Sequence, residues 1–185
     1  LQQLIEAIKD MHFSKGDIEY LRTLNMFDEE FLSYLADFKF DGTIWAVPEG
    51  TPVFPYEPLV TVKGKLIEAQ LVETFLLVTI NHQSLIATKT HRIVQEAKGR
   101  PVMEFGARRA QGYDGATYGA RAAYIGGAAG TATVSAGKAF GIPVLGTMAH
   151  SFVQSFDTEY EAFKAYAEIY PDSCILLVDT YDTLK

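Results

Sequence analysis

One cysteine in 185 residues leaves Cys174 without an intrachain partner, which excludes a disulfide framework and fits a reducing compartment. Its setting in the apolar run CILLV gives it a packing role in the core. No stretch approaches the roughly 20 apolar residues of a membrane-spanning helix, and the opening LQQLIEAIKDM has no apolar segment followed by a cleavage site. A cytoplasmic location is therefore expected. Positive charge is also short: 16 basic residues face 23 acidic ones, a net charge of −7. That balance excludes generic affinity for nucleic acid or an anionic membrane, so an anionic ligand must meet a local cluster of cations. No His/Cys spacing suits zinc, and the glycine-rich YIGGAAGTATV lacks the spacing of a Walker loop or a dinucleotide fingerprint. Its glycines permit close backbone approach.

What the chain has is apolar surface, 48% of its residues against 21% charged, enough for a sizeable core. It opens inside a helical pattern without an initiator Met and stops at DTYDTLK directly after an apolar run, so a piece of a longer protein is expected.

Two regions differ in rhythm. Residues 1–99 show helical apolar spacing in LQQLIEAIKDM, IEYLRTL and EEFLSYLADF, where Asp28 can cap the helix start. From 43 to 65 the β-branched residues and the turn signals Pro-Glu-Gly and Tyr-Glu-Pro predict short antiparallel strands. A long helix follows from about Glu68 to Lys98, apolar on most sides and so expected to be buried between layers, ending at Gly99 ahead of Pro101. Residues 100–185 alternate: strand PVMEF, helix around GATYGARAAYI, strand near TATV, helix SAGKAF, strand PVLG, helix TEYEAFKAYAEIY, strand CILLVD. Repeated units of this length imply an α/β fold with a parallel sheet, open or closed into a barrel.

Ligands on such sheets sit at the carboxyl ends of the strands. The candidates are then 105–109, 130–132, 147–151 and 179–182, four loops that should converge. Arg108 and Arg109 are adjacent guanidinium groups suited to a carboxylate or phosphate, or else a solvated surface pair. Phe105 can lay its ring on a planar ligand or pack into the core. His150, with the Thr147 and Ser151 hydroxyls and helix-start N–H groups nearby, is either a packed structural histidine or an imidazole placed beside a phosphoryl group. His12, His82 and His91 lack such neighbours and read as structural. Asp179 and Asp182 flank Tyr181 where carboxylates hold hydrated magnesium and substrate hydroxyls, although Asp182 equally suits a helix cap.

In this order, EFGARRAQG, GARAAYIGGAAGT, GTMAHSF and LLVDTYDTL resemble the nicotinate phosphoribosyltransferase family, and the resemblance extends through NHQSLIATKTHR to most of the chain. It implies an α+β N-terminal domain followed by the first part of an incomplete parallel α/β barrel, within a polypeptide considerably longer than this one. It implies conversion of nicotinate and phosphoribosyl pyrophosphate to nicotinate mononucleotide and pyrophosphate, coupled to ATP hydrolysis with Mg2+, in a homodimer. By motif, His150 is similar to the histidine phosphorylated by ATP, Thr147 to a nicotinate contact, and Asp179 to the aspartate facing the ribosyl and magnesium region. Phe105 and Arg108 match the ring-stacking phenylalanine and ligand-contacting arginine of the related nicotinamide enzyme. That enzyme carries an aspartate after its Gly-Thr pair, where this chain has Ala132. An aspartate would repel a carboxylate ligand, so Ala132 favours nicotinate. Other readings are a transferase for nicotinamide or quinolinate, and a biotinyl or lipoyl carrier module in 43–65. Against the carrier, neither Lys63 nor Lys65 has the flanks of a modified lysine. The chain taken alone is expected to be inactive.

Overall fold

The computed structural model describes residues 1–184. Three short helices open the chain, α1 (Gln2–Lys9), α2 (Lys15–Thr23) and α3 (Glu29–Ala36). Two of them start at side-chain caps: Ser14 and Asp17 exchange hydrogen bonds in a capping box, and the Asp28 carboxylate accepts the Phe31 N–H at 2.8 Å. Such caps satisfy donors that a helix leaves open, worth about 1 kcal/mol each. As the sequence predicts, β1 (Thr43–Ala46) pairs antiparallel with β2 (Val60–Lys63), Thr43 opposite Lys63.

Helix α4 (Leu66–Glu96) binds these elements together. Val72 packs with Leu4 and Ile8, while Leu71 leans on Ile18, Leu32 and Leu35. Each fully buried side chain of this kind contributes about 1.5–3 kcal/mol. The expectation that α4 lies buried between layers does not hold. Leu77, Val78, Leu85 and Ile93 are 55%, 63%, 62% and 48% exposed. The apolar sequence leaves several faces fit for burial, but α1 and α5 each cover only one stripe. The helix ends where Lys98 and Gly99 take positive φ of 51° and 85°, a conformation that glycine adopts at little cost.

The second region holds β3 (Met103–Glu104), a single 3-10 turn (Ala107–Arg109), α5 (Gly112–Ile125), β4 (Gly130–Thr131), α6 (Val134–Phe140), α7 (His150–Gln154) and α8 (Glu159–Ile169). Met103 pairs with Gly130 and Glu104 with Thr131 in parallel, and Thr131 bridges in parallel to Val144. Three extended segments joined by helical crossovers thus lie side by side, the α/β arrangement read from the alternation. The fourth expected strand, CILLVD, makes no ladder among the described residues: Ile175 and Val178 stay 52% and 49% exposed, and Cys174 is half-buried, not a core residue. β-branched residues favour extended backbone, but a ladder also needs a neighbour with free N–H and C=O groups.

Helix α5 packs tightly on α4. A Cβ added at Gly126 would stand 2.6 Å from the Ala87 carbonyl oxygen, and one at Gly119 3.3 Å from Ile86. Arg121 of α5 reinforces the join: its Nη1 and Nη2 donate to the two Glu49 oxygens at 3.0 and 2.7 Å, Nη1 reaches Gln83 of α4 at 3.3 Å, and its guanidinium lies 5.6 Å from the Phe140 ring centroid. No helix among the described residues is long and apolar enough to cross a membrane.

Candidate functional site

Parallel pairing sends the carboxyl ends of β3, β4 and the Val144 segment to one side of the sheet, so the loops that follow them share a face. At the end of β3, Phe105 is 46% exposed, and the Arg109 N–H closes the following turn on the Gly106 carbonyl at 2.9 Å. Arg108 and Arg109 are both exposed, and neither forms an ion pair among the described residues. Two guanidinium groups in one turn, with no carboxylate spent on them, give this face the local positive charge that the acidic chain otherwise lacks.

At the end of β4, Thr131 is fully buried while Ala132 is exposed. The Ala132 N–H donates to the Glu104 carbonyl at 3.0 Å, the last backbone bond between the two strand ends. Glu104 then takes over with its side chain. Oε1 accepts the Gly106 N–H at 2.5 Å, Oε2 accepts the Thr131 hydroxyl at 2.6 Å, and Thr131 Oγ1 accepts the Thr133 N–H at 2.9 Å.

The third loop carries His150 as the first residue of α7, after Ala149. Met148 before it and Val153 after it are buried with Ala162, with Phe152 and Phe163 packed against them, which holds the short helix down and leaves the imidazole outward, 46% exposed. Leu177 packs into the same cluster and so delivers the next residues to the histidine. His150 Nδ1 lies 3.3 Å from Thr180 Oγ1, and Nε2 lies 4.0 Å from Asp179 Oδ1. A hydroxyl on one nitrogen and a carboxylate beside the other give the imidazole a defined orientation.

The remaining candidates make local contacts or stand exposed. The Thr147 hydroxyl donates to the Met148 carbonyl at 3.1 Å, Ser151 is exposed at the start of α7, and Asp182 accepts the Leu184 N–H at 3.0 Å in a local turn. The structure therefore joins His150 with Asp179 and the Phe105 loop with the Ala132 loop. Sequence reasoning included Thr180 within the 179–182 loop but gave it no role, and it missed Glu104. Thr180 follows Asp179 directly and carried its own signal, a hydroxyl beside a candidate carboxylate, whereas Glu104 reads as an ordinary polar position in an alternating strand. His82 and His91, read as structural, bond to the Gly115 carbonyl and to Gln95.

Among the described residues no group of three or more His, Cys, Asp or Glu could hold a metal ion. An exposed aspartate such as Asp179 does suit Mg2+, which takes one or two carboxylates and fills its shell with substrate phosphates and water. A separate cleft of about 130 Å³ lies between the 47–51 loop, α4 and α5, with Glu49, Gln83 and Arg121 in its wall. It borders the antiparallel β1–β2 pair and not the loops after β3 and β4, and Glu49 and Arg121 in its wall are already spent on each other, so the loops after the parallel strands are the better seat for chemistry.

Comparison with known proteins bears on both halves of the chain. Residues 1–81 match the nicotinate phosphoribosyltransferase N-terminal domain, and residues 101–184 match the nicotinate phosphoribosyltransferase family. A nicotinate phosphoribosyltransferase of Mycobacterium tuberculosis is 52% identical over 185 residues, covering 100% of this chain and 40% of that protein. One from Bacillus subtilis is 47% identical, covering 100% and 38%. The chain thus spans about two fifths of the length of these relatives. The crystal structure of human nicotinic acid phosphoribosyltransferase superposes with a TM-score of 0.89 at 29% identity, over 99% of this chain and 47% of that one. A nicotinate-nucleotide pyrophosphorylase from Pyrococcus furiosus gives 0.69 at 32% identity, over 83% and 40%.

Proposed function

The chain belongs to the nicotinate phosphoribosyltransferase family, and we propose that it forms part of an enzyme that transfers phosphoribosyl from phosphoribosyl pyrophosphate to nicotinate, driven by ATP. The observation that carries this reading is the juxtaposition of His150 with Asp179 and Thr180 at 4.0 and 3.3 Å, His150 following the Val144 segment as the turn of Arg108 and Arg109, which form no ion pair among the described residues, follows β3. In the transfer, the nicotinate ring nitrogen forms a bond to the ribose C1 as the C1–oxygen bond to pyrophosphate breaks, pyrophosphate taking the electron pair. Positive charge builds on the sugar, so the protein's task is to align the ring nitrogen and hold the anions.

Phe105 offers a flat apolar surface to the pyridine ring, and Arg108, with Arg109 beside it, offers donors to the carboxylate. Thr147 and Ser151 line the approach with hydroxyls. Ala132, exposed and uncharged, leaves room for an anionic ring substituent, which favours nicotinate over nicotinamide. For the coupling step, an imidazole nitrogen of His150 attacks the γ-phosphorus of ATP and ADP leaves with the bridging oxygen; water later takes the phosphoryl group. Asp179 holds the ring and, with Asp182 nearby in sequence, would hold Mg2+. That ion supplies charge neutralisation to the phosphates when bound.

In the intact protein, γ-labelled ATP should give acid-labile label that His150→Ala abolishes, together with nicotinate consumption that requires phosphoribosyl pyrophosphate. A wild type that neither labels nor consumes nicotinate would end the proposal. Preferential turnover of nicotinamide or quinolinate would replace the substrate. We place the enzyme in the cytoplasm, as the lone Cys174 favours, and as a homodimer; sedimentation showing monomer alone at working concentration would remove the dimer.

A further inference from the structure

We propose that Glu104 is a positioning residue, whose carboxylate ties the Phe105 loop to the Ala132 loop and so sets the width of the slot for the pyridine ring. The inference rests on the reading of these strand ends as the nicotinate site. β3 and β4 pair over two residues only, and beyond the Ala132 N–H to Glu104 carbonyl bond no ladder governs how far apart the two loops stand. The Glu104 side chain spans that interval, one oxygen on each loop, at 2.5 Å to the Gly106 N–H and 2.6 Å to the Thr131 hydroxyl. Because Thr131 Oγ1 also accepts the Thr133 N–H at 2.9 Å, the same carboxylate fixes the turn that presents Ala132. The chain runs carboxylate, buried hydroxyl, backbone N–H, with every proton assigned.

The chemistry of the acceptor dictates a graded response. Both donors need an acceptor, and an ionised carboxylate has two oxygens that only accept. In Glu104→Gln one oxygen becomes an amide nitrogen, so either the Gly106 N–H or the Thr131 O–H loses its partner. Glu104→Asp keeps the charge but is shorter by one carbon–carbon bond, about 1.5 Å, and cannot reach both loops. Thr131→Val keeps the shape and deletes the hydroxyl, whereas Thr131→Ser keeps the hydroxyl.

Steady-state kinetics of the intact enzyme test this, with the KM for nicotinate and for phosphoribosyl pyrophosphate measured separately and His150 labelling by γ-labelled ATP as a third readout. Glu104→Asp and Thr131→Val should raise the KM for nicotinate about tenfold or more, Glu104→Gln less, and Thr131→Ser no more than about threefold. The KM for phosphoribosyl pyrophosphate should stay within about twofold, and labelling should persist. Unchanged nicotinate KM in Glu104→Asp and Thr131→Val overturns the proposal. So does a parallel rise in both KM values with loss of labelling, which marks a general folding defect. A wild type that turns over no nicotinate overturns the functional reading and this inference with it, while an active wild type with unmoved variants overturns only the inference.

Discussion

Replacing Arg121 tests how the two regions are held together. Its side chain is 16% exposed and that of Glu49 32%, and the fork of bonds at 2.7 and 3.0 Å is supplemented by Gln83 and the Phe140 ring. Removing one partner of a well-buried ion pair costs about 3–5 kcal/mol. Because a third of Glu49 remains in solvent, the pair itself is nearer 2 kcal/mol, and the guanidinium over Phe140 adds about 0.5–1 kcal/mol. Arg121→Ala should thus lose about 2–3 kcal/mol, lowering the melting temperature by roughly 4–12 °C for a unit of this size. The assay is thermal unfolding followed through Trp45, the only tryptophan of the chain.

Acid supplies a second reading of the same pair. The Arg121 bonds hold the Glu49 carboxyl down at about 2 from an ordinary 4.5. A depressed carboxyl pKa gives stability that is complete above the unfolded value and is lost as pH falls toward the folded one. The gap between wild type and Arg121→Ala should therefore stay constant above pH about 5 and close between 4.5 and 2. Arg121→Lys, which keeps the charge but loses the fork, should recover less than half of the loss. If Arg121→Lys melts with wild type, or if a double-mutant cycle with Glu49→Ala gives a coupling below about 0.5 kcal/mol, the clamp is not what joins the regions.

Two further substitutions address the proposed slot and the N-terminal core. Ala132→Asp sets a carboxylate toward that of nicotinate, worth about 1–3 kcal/mol at the intermediate dielectric of a half-open loop; competition assays should show kcat/KM for nicotinate falling tenfold to a hundredfold relative to nicotinamide, and an unaltered ratio would dissociate Ala132 from ring selection. Glu68 is 1% exposed, accepts the Asp41 N–H at 3.2 Å and pairs with Lys65 at 3.1 Å. Glu68→Ala should cost about 1–3 kcal/mol for the orphaned N–H, with a further loss for the cavity. Glu68→Gln, which keeps an acceptor, should melt close to wild type, and equal losses in the two would mean that charge rather than the hydrogen bond matters.

Most of the helices were legible because their signals are local. Asp28 and Thr158 stand at N-caps, and the apolar residues of α1 to α3 repeat at helical spacing. Tertiary facts were harder to read. A helix apolar on most sides, such as α4, declares what it would gain by burial and nothing about which elements will cover it, and the run at 174–178 declares a liking for extended backbone without supplying a ladder partner. At the site, the strand-end rule placed Phe105, Arg108, Ala132 and His150 in the loops that follow the three parallel segments, whereas Asp179 reaches His150 without the strand expected before it. Glu104 escaped because its importance lies in who accepts whose proton across two strands, and that requires register, which two-residue strands barely encode.

The close seating of α5 on α4 has a bearing on how such a site can diversify. α5 begins just after the turn that holds Arg108 and Arg109, and the chain leaving it enters β4 and the loop of Ala132. With no room for a Cβ at Gly126 beside the Ala87 carbonyl, this helix works as a fixed ruler between the two loops. Sliding it to widen one would displace the other by the same amount. Changes in ligand preference on this scaffold are therefore steered toward single side-chain swaps at the loop tips, while the backbone beneath them is inherited as one piece.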